Sequence, residues 1–390
     1  MKHSGFVRAL AVMATVVVVA AGCTSAATTA PTAAPASAEA PSAAPPSEAA
    51  PSAAAAAYTI GYSNGGAVGN GFREEQVCTA KAEVKALGTD KISGITVIHR
   101  NTDAAGQLSD LRTLISQKVN AIVFNPNDPD ALNPALAEAH AAGIVTVSVD
   151  AYVTDPDTWN LYNNQVKYAQ IGAEWLFKQM GGKGTVWYTR GLAGHPADSD
   201  RDIGFSIALK EYPDIKVQNP GGTFTGWDPA TATQITNDEI ASGGYDQIQG
   251  IWASGMGKQI VDAIKSANKK YVPIVDADIG GFVAQLLDPT GFPGLVGAAV
   301  TNTASVGGAG VSLAYKLLTG ETVQQTAGAG RPNTILLDPQ ILDNTTDQGK
   351  TDLQKWVSVP NMDPLWPLSL SIPGFTDYDP NTVPASCNGA

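Results

Sequence analysis

The chain has 390 residues, with 24 Lys and Arg against 36 Asp and Glu, and a formal charge of -12. An acidic excess of that size argues against nucleic acid or an anionic membrane surface as partner. The length favours two domains over one.

At the amino terminus, Met1, Lys2, His3 and Arg8 form a short basic region. The uncharged stretch that follows, 9–21, is too short to cross a bilayer as a permanent helix. It ends in Ala20, Ala21, Gly22 and Cys23, which resembles the lipobox of bacterial lipoproteins, with Ala20 standing where an aliphatic residue, usually Leu, is commonest. The resemblance implies a signal peptide over 1–22 and diacylglycerol on the sulfur of Cys23. Two acyl chains anchor firmly because each buried methylene contributes about 0.8 kcal/mol, whereas one chain holds a membrane only reversibly. Losing Lys2 and Arg8 with the signal takes the formal charge from -12 to -14. The following segment, 23–57, is almost wholly Ala, Pro, Ser and Thr. Without large apolar side chains it cannot offset the entropy of ordering, and it reads as a tether with a reach between about 30 and 100 Å.

From residue 58 strands and helices alternate, the rhythm of parallel sheets. A strand is expected at 58–62, then a helix at 72–87 with Val77, Ala80, Val84 and Leu87 on one face and Gly88 as its stop. A strand at 92–98 follows, then a helix with Leu108, Leu111 and Ile115 inward, a strand at 121–124, a helix lined by Leu132, Leu136 and Ala139, and a strand at 144–149. A second unit repeats the pattern: helix 166–180, strand 185–189, helix 197–212, strand 215–218, helix 230–241, strand 247–252, helix 258–267 and strand 272–275. After Asp343 no helical period is evident. Besides Cys23, Cys78 and Cys387 are the only cysteines, an even pair that in an oxidising compartment reads as a disulfide, fixing a tail wrapped over the first unit.

Binding groups in such sheets sit just past the carboxyl ends of strands. Those positions carry Ser63 and Asn64, Asn125 and Asp128, Asp150, Arg201 beyond the loop 191–196, Trp252 and Ser254, and Asp276 and Asp278. Gly61, Ser63 and Gly65 spell the G-x-S-x-G of a hydrolase elbow. The serine, however, follows the first strand, and no histidine occurs after His195 to complete a triad. His3, His99, His140 and His195 show no paired metal-ligand spacing, and Gly257–Lys258 lacks the rest of a phosphate loop. The chain is therefore not expected to be an enzyme, and no cofactor or metal is expected.

Several segments resemble, in order and spacing, the ribose-binding group of periplasmic sugar receptors, over about 58–343. Gly69, Asn70, Gly71, Phe72 and Arg73 approximate a Gly-Asn-x-Trp-Arg start of the first helix; Asn125, Pro126, Asn127 and Asp128 match the segment after the third strand; Val149 and Asp150 match the fourth strand and its ligand-binding Asp; Gly191 to Gly194 followed by Asp200, Arg201, Gly204 and Phe205 match the loop and helix whose Arg grips the sugar. The resemblance implies an α/β fold of the type I periplasmic binding protein kind, two Rossmann-like lobes with parallel sheets joined by a three-crossing hinge near Asn163, Thr301 and Leu337. The first lobe would comprise 58–162 with 302–336 and the second 163–301 with 337–343. A tail over 344–390 would pack back on them.

For a neutral polyhydroxylated ligand, Asp150 and Asp278 are the expected acceptors and Asn70, Arg73, Asn125 and Arg201 the donors, because charge-assisted hydrogen bonds are the stronger class. Phe72 and Trp227 would cover an apolar face, with Trp252 a third candidate. Asn163, Ser254 and Thr301 complete the expected binding set. Ala151, Ser254 and Thr301 depart from residues usual in ribose binders, so the implied ligand is a pentose, hexose or related polyol. The implied setting is a monomer, held to the membrane by its lipid alone, that delivers ligand to the permease of an ABC importer. A sugar or autoinducer-2-type sensing receptor would share the same pocket.

Overall fold

The computed structural model describes residues 57–66, 69–356, 363–368 and 371–387. The expected signal peptide, Cys23 and all but the last residue of the tether lie outside the described residues.

In chain order the elements are β1 (Tyr58–Asn64), α1 (Gly71–Leu87), β2 (Ile92–His99), α2 (Ala104–Ser116), β3 (Ala121–Asn125), α3 (Asn133–Ala141), β4 (Val145–Val149) and β5 (Trp159–Asn163). The chain then leaves the first sheet for α4 (Gln165–Gln179), β6 (Lys183–Arg190), α5 (Pro196–Glu211), β7 (Asp214–Val217), β8 (Thr223–Phe224), α6 (Pro229–Ala241), β9 (Gly250–Trp252), α7 (Gly257–Ser266), β10 (Ile274–Ala277), α8 (Gly280–Leu286) and β11 (Gly297–Val300). It returns for α9 (Val306–Leu318) and β12 (Thr334–Leu337), crosses again to β13 (Ile341–Asp343) and α10 (Asp347–Trp356), and ends in the short α11 (Val383–Ser386).

One sheet has the order β12-β5-β4-β3-β1-β2, parallel throughout. The other has the order β13-β11-β10-β9-β6-β7, with β8 on β6 and β13 antiparallel to β11. Strands of such sheets are covered on both faces and read as unbroken apolar runs. All five residues of β3 are buried, as are all of β9, β10 and β11. In the first lobe, Ile60, Val123 and Val147 pack toward α1 and α9, while Ile122 and Phe124 pack toward Leu111, Leu114 and Leu136 of α2 and α3. The second lobe is centred on Trp187, Trp252, Phe177, Phe205 and Phe282. Gly204 of α5 lies against the Val166 carbonyl of α4, where a side-chain carbon would collide, so those helices cross backbone to backbone.

The three passages between the sheets lie side by side. The Asn164 amide donates to the Leu337 carbonyl at 2.8 Å, and the Thr301 amide to the Gln340 carbonyl at 2.9 Å, while the Gln340 amide donates to Thr301 Oγ1 at 2.8 Å.

Several elements differ from the sequence reading, the short β8, β12, β13 and α11 among them. β5 (WNLYN) and β11 (GAAV) are strands where none was expected, because asparagines and small residues carry little β-propensity and neighbouring strands supply the hydrogen bonds. α8 was likewise not foreseen. The segment after Asp343 does contain a helix, α10, whose buried Leu353 joins the second lobe's core. Leu353 is the one buried position among the described side chains of this helix, too little for a visible period. Beyond it, the tail rests on the first lobe, where Cys78 and Cys387 form a disulfide beside Ala82, Tyr378 and Val383.

Candidate functional site

Asn70 starts the site. It caps α1, its Oδ1 accepting from the Arg73 amide at 3.2 Å, and its Nδ2 donates across the cleft to the Trp227 carbonyl at 2.9 Å. One helix turn thus carries Asn70, Phe72 and Arg73 to the edge of a cavity between the lobes that encloses about 830 Å³, its open mouth included.

Arg73 is buried. Its Nη1 donates to Asn64 Oδ1 at 2.8 Å, and its Nη2 lies 3.1 Å from His195 Nε2 of the opposite lobe. His195 caps α5, its Nδ1 accepting from the Ala197 amide, and burial, with Arg73 and Arg201 nearby, keeps the imidazole neutral. Arg201 enters from α5. Its Nε donates to Gln165 Oε1 at 2.8 Å, its Nη1 points to the Ser254 carbonyl at 3.3 Å, and its guanidinium stacks 4.3 Å over the Tyr168 ring.

Asp150 follows β4 and is buried near both guanidiniums. Its Oδ2 accepts from Asn125 Nδ2 at 3.0 Å, the Asn163 side chain is close enough to hydrogen-bond the carboxyl and lower it, and Oδ1 meets no donor at good hydrogen-bond geometry among the described residues. Burial pushes its carboxyl above the usual carboxylate range, opposed first by Arg73 and then by Arg201; burial likewise lowers Arg73, opposed by Asp150. A buried acceptor without a donor costs stability. Here the vacant lone pairs are those a ligand hydroxyl can fill.

The backbone is strained at the same place. Asp150 (φ 67°), Trp227 (φ 53°) and Ser254 (φ 43°) all adopt the left-handed region, which costs on the order of 1–3 kcal/mol for a non-glycine residue and clusters at functional sites. Trp227 holds its turn by donating from Nε1 to the Ser254 carbonyl at 2.9 Å, with its ring against Gly191, where no side chain would fit. Asp276 accepts from the Gly255 and Gly257 amides, fixing the loop after β9; burial pushes its carboxyl up to about 7 against those donors.

Of the expected binding residues, Asn70, Phe72, Arg73, Asp150, Arg201 and Trp227 line the cavity. Asn125, Asn163, Ser254, Asp278 and Thr301 do not. Asn125 braces Asp150, Asn163 Nδ2 donates to the Thr303 carbonyl, and Ser254 holds Trp227 and Arg201 through its carbonyl. Asp278 accepts from the Asn302 amide on Oδ1 at 2.9 Å. Thr301 is turned into the hinge, and its neighbour Asn302 faces the cavity instead. Trp252 is core, edge to face with Tyr168 and Phe205. Sequence reasoning missed Gln259, Met256, Ile279, Asn302 and Leu365 in the lining. Asn302 was within reach, one residue from a position singled out; Leu365 had no signal, lying beyond the recognisable pattern.

Ser63 Oγ is buried, with Gln107 Nε2 at 3.5 Å. Among the described residues no three metal-ligating side chains gather, and no helix is long and apolar enough to cross a membrane.

A family model described as a periplasmic binding protein domain matches residues 60–322. A xylitol-binding protein of Mycolicibacterium smegmatis is 30% identical over 227 residues, 57% of this chain and 63% of that protein, so the chain spans less than two thirds of that relative's length. A ribose import binding protein of Bacillus subtilis is 26% identical over 249 residues, 60% of this chain and 75% of that protein. The solute binding protein of an ABC transporter from Thermobispora bispora shares the fold, with a TM-score of 0.68 at 24% identity over 80% of this chain and 90% of that one.

Proposed function

The chain belongs to the periplasmic binding protein domain family, and from that premise we propose that it is an extracytoplasmic receptor that captures a small neutral polyhydroxylated ligand, a pentose, hexose or polyol, between its lobes. The observation that carries the reading is Asp150, buried beside Arg73 and Arg201 at the cavity with one carboxylate oxygen left for a ligand. A vicinal diol donates to such a carboxylate and accepts from the flanking guanidiniums, while Phe72 and Trp227 cover carbon-bound hydrogens.

Relatives named for xylitol and ribose point to the same class. Capture proceeds by rotation of the lobes about the three adjacent passages, bringing Asn70 and Arg73 against Trp227 and His195. The closed pair presents a surface that a membrane permease of an ABC importer reads. Cys23, lipidated, holds the monomer at the membrane and the segment after it sets the body away from the bilayer.

The test is a thermal-shift screen of pentoses, hexoses, pentitols, inositols and nucleosides on the purified protein. A ligand at a hundredfold excess over its Kd stabilises the folded state by about 2.7 kcal/mol, enough to raise the melt by several degrees. Scattering of the same sample should show a smaller radius of gyration. A panel in which nothing binds refutes the sugar reading.

A further inference from the structure

A fourth connection joins the lobes, and it runs along the ligand cavity. Residues 363–368 lie against the second lobe: the Gly280 amide donates to the Trp366 carbonyl and the Gly281 amide to the Pro364 carbonyl, both at 2.7 Å, the Leu368 amide donates to the Asp278 carbonyl at 3.0 Å, and Ile279 and Pro367 form an antiparallel bridge. The first amides of a helix have no acceptor within it. In α8 the N-cap, Ile279, offers no side-chain oxygen, so the tail carbonyls satisfy those amides.

On its other side the Leu365 carbonyl abuts Gly71, in the first turn of α1, so closely that any side-chain carbon there would collide with it. Leu365 thus stands between α1 of one lobe and α8 of the other, and it lines the cavity together with Phe72, Met256 and Ile279. Further along, the tail is fastened to the first lobe: Lys316 Nζ donates to the Gly374 carbonyl at 2.8 Å, the Asp377 amide to Glu83 Oε2 at 2.9 Å, and Cys387 is bonded to Cys78. All of these tail residues lie outside the stretch that the family model matches, 60–322.

We propose that Leu365, carried into the cavity by the carboxyl-terminal tail, is a specificity-determining residue that selects ligands presenting hydrogen or a methyl group, rather than a hydroxymethyl group, toward Gly71 and Ile279. The proposal rests on the sugar-receptor reading above. The Leu365 side chain offers no hydrogen bond, so a hydroxyl buried against it loses its water without replacement, which is unfavourable. Of the polar side chains of the lining, Asn70 is engaged by the Trp227 carbonyl and the Arg73 amide, while Arg73, Asp150, Arg201, Gln259 and Asn302 serve hydroxyls elsewhere on the ring. The favoured class is therefore a pentose, a pentitol or a 6-deoxy sugar over its hydroxymethyl counterpart.

Calorimetric titration of the full chain with two matched pairs tests this: D-fucose against D-galactose, and xylitol against sorbitol. In wild type at least one pair should show the smaller or deoxygenated member binding about tenfold or more tightly, and Leu365→Asn should bring the ratio toward one. Leu365→Ala should weaken the preferred member by about tenfold, the equivalent of two buried methylenes, and admit the larger one. A wild-type ratio near one in both pairs, a ratio unchanged in both variants, or binding of other sugars but of neither pair overturns the proposal. Hydrogen exchange separates this failure from failure of the receptor reading. Rapid exchange of the Gly280 and Gly281 amides in the native protein removes the tail from the cavity while leaving the receptor standing. Binding of no sugar at all overturns both.

Discussion

Replacing Asp150 with Asn tests the centre of the site. Asn keeps the size of the side chain and one acceptor, but it removes the charge and puts an amide where a carboxylate oxygen stood. If that amide faces Asn125 Nδ2, two donors meet; if it faces the cavity, the lone pairs meant for a ligand hydroxyl become a donor. Arg73 and Arg201 also lose the carboxylate that opposes their charge at the cavity wall. Truncating one member of a buried, hydrogen-bonded charge pair commonly costs about 2–5 kcal/mol, so the best ligand of the sugar panel should bind at least about thirtyfold more weakly to the variant. Titration calorimetry at pH 7 reads this directly. The unliganded melt should change less than the affinity, because Asp276 remains near Arg201 and the Asn64 bond to Arg73 persists. An affinity within threefold of wild type would refute the placement of the ligand on Asp150.

Three further outcomes follow from other parts of the molecule. Cys23→Ser should release the protein from membranes into the medium, and unchanged retention in a membrane fraction would reject lipidation there. Burial raises Glu83 from 4.5 to about 7, against the Asp377 amide that donates to it, so the folded protein favours the neutral acid. Its contribution is then full below pH 4.5 and is lost as pH rises through 7; Glu83→Gln, which keeps an acceptor for Asp377, should flatten the fall in melting temperature between pH 5 and pH 8. Gly204→Ala should lower stability by about 1–3 kcal/mol in a denaturant titration, since the added methyl must push α5 off the Val166 carbonyl.

The strand-helix alternation was legible because a buried parallel strand such as β3 opens as an apolar run, Ala121 to Phe124, and helices such as α1 end at glycine. β5 and β11 were not, since their residues take strand geometry from the neighbours they pair with. The same division runs through the site. Asn70, Arg73, Asp150 and Arg201 were visible as charged or amide groups beside helix starts and strand ends. Whether such a group faces the cavity depends on the rotation of the chain at a single residue, and Thr301 and Asn302 exchange places on that account. Leu365 is an ordinary leucine whose role comes entirely from where the tail is laid down.

The way the first lobe is assembled has a consequence for how the chain comes to be folded. Its sheet begins with β1 but ends with β12, its core needs α9 packed on α1, and Cys78 waits for a partner 309 residues later. The second lobe is contiguous apart from β13, α10 and residues 363–368, so most of its contacts are available while the chain is still emerging. The first lobe's are not. Contacts between such distant segments form late, since a long loop must be closed before they return any stabilisation. As the chain emerges, then, the half that begins the sequence should be the last to become native. An unfinished chain would expose the α1 face that α9 covers, together with a free Cys78 thiol, so a thiol reagent added during refolding should label Cys78 until the tail is in place.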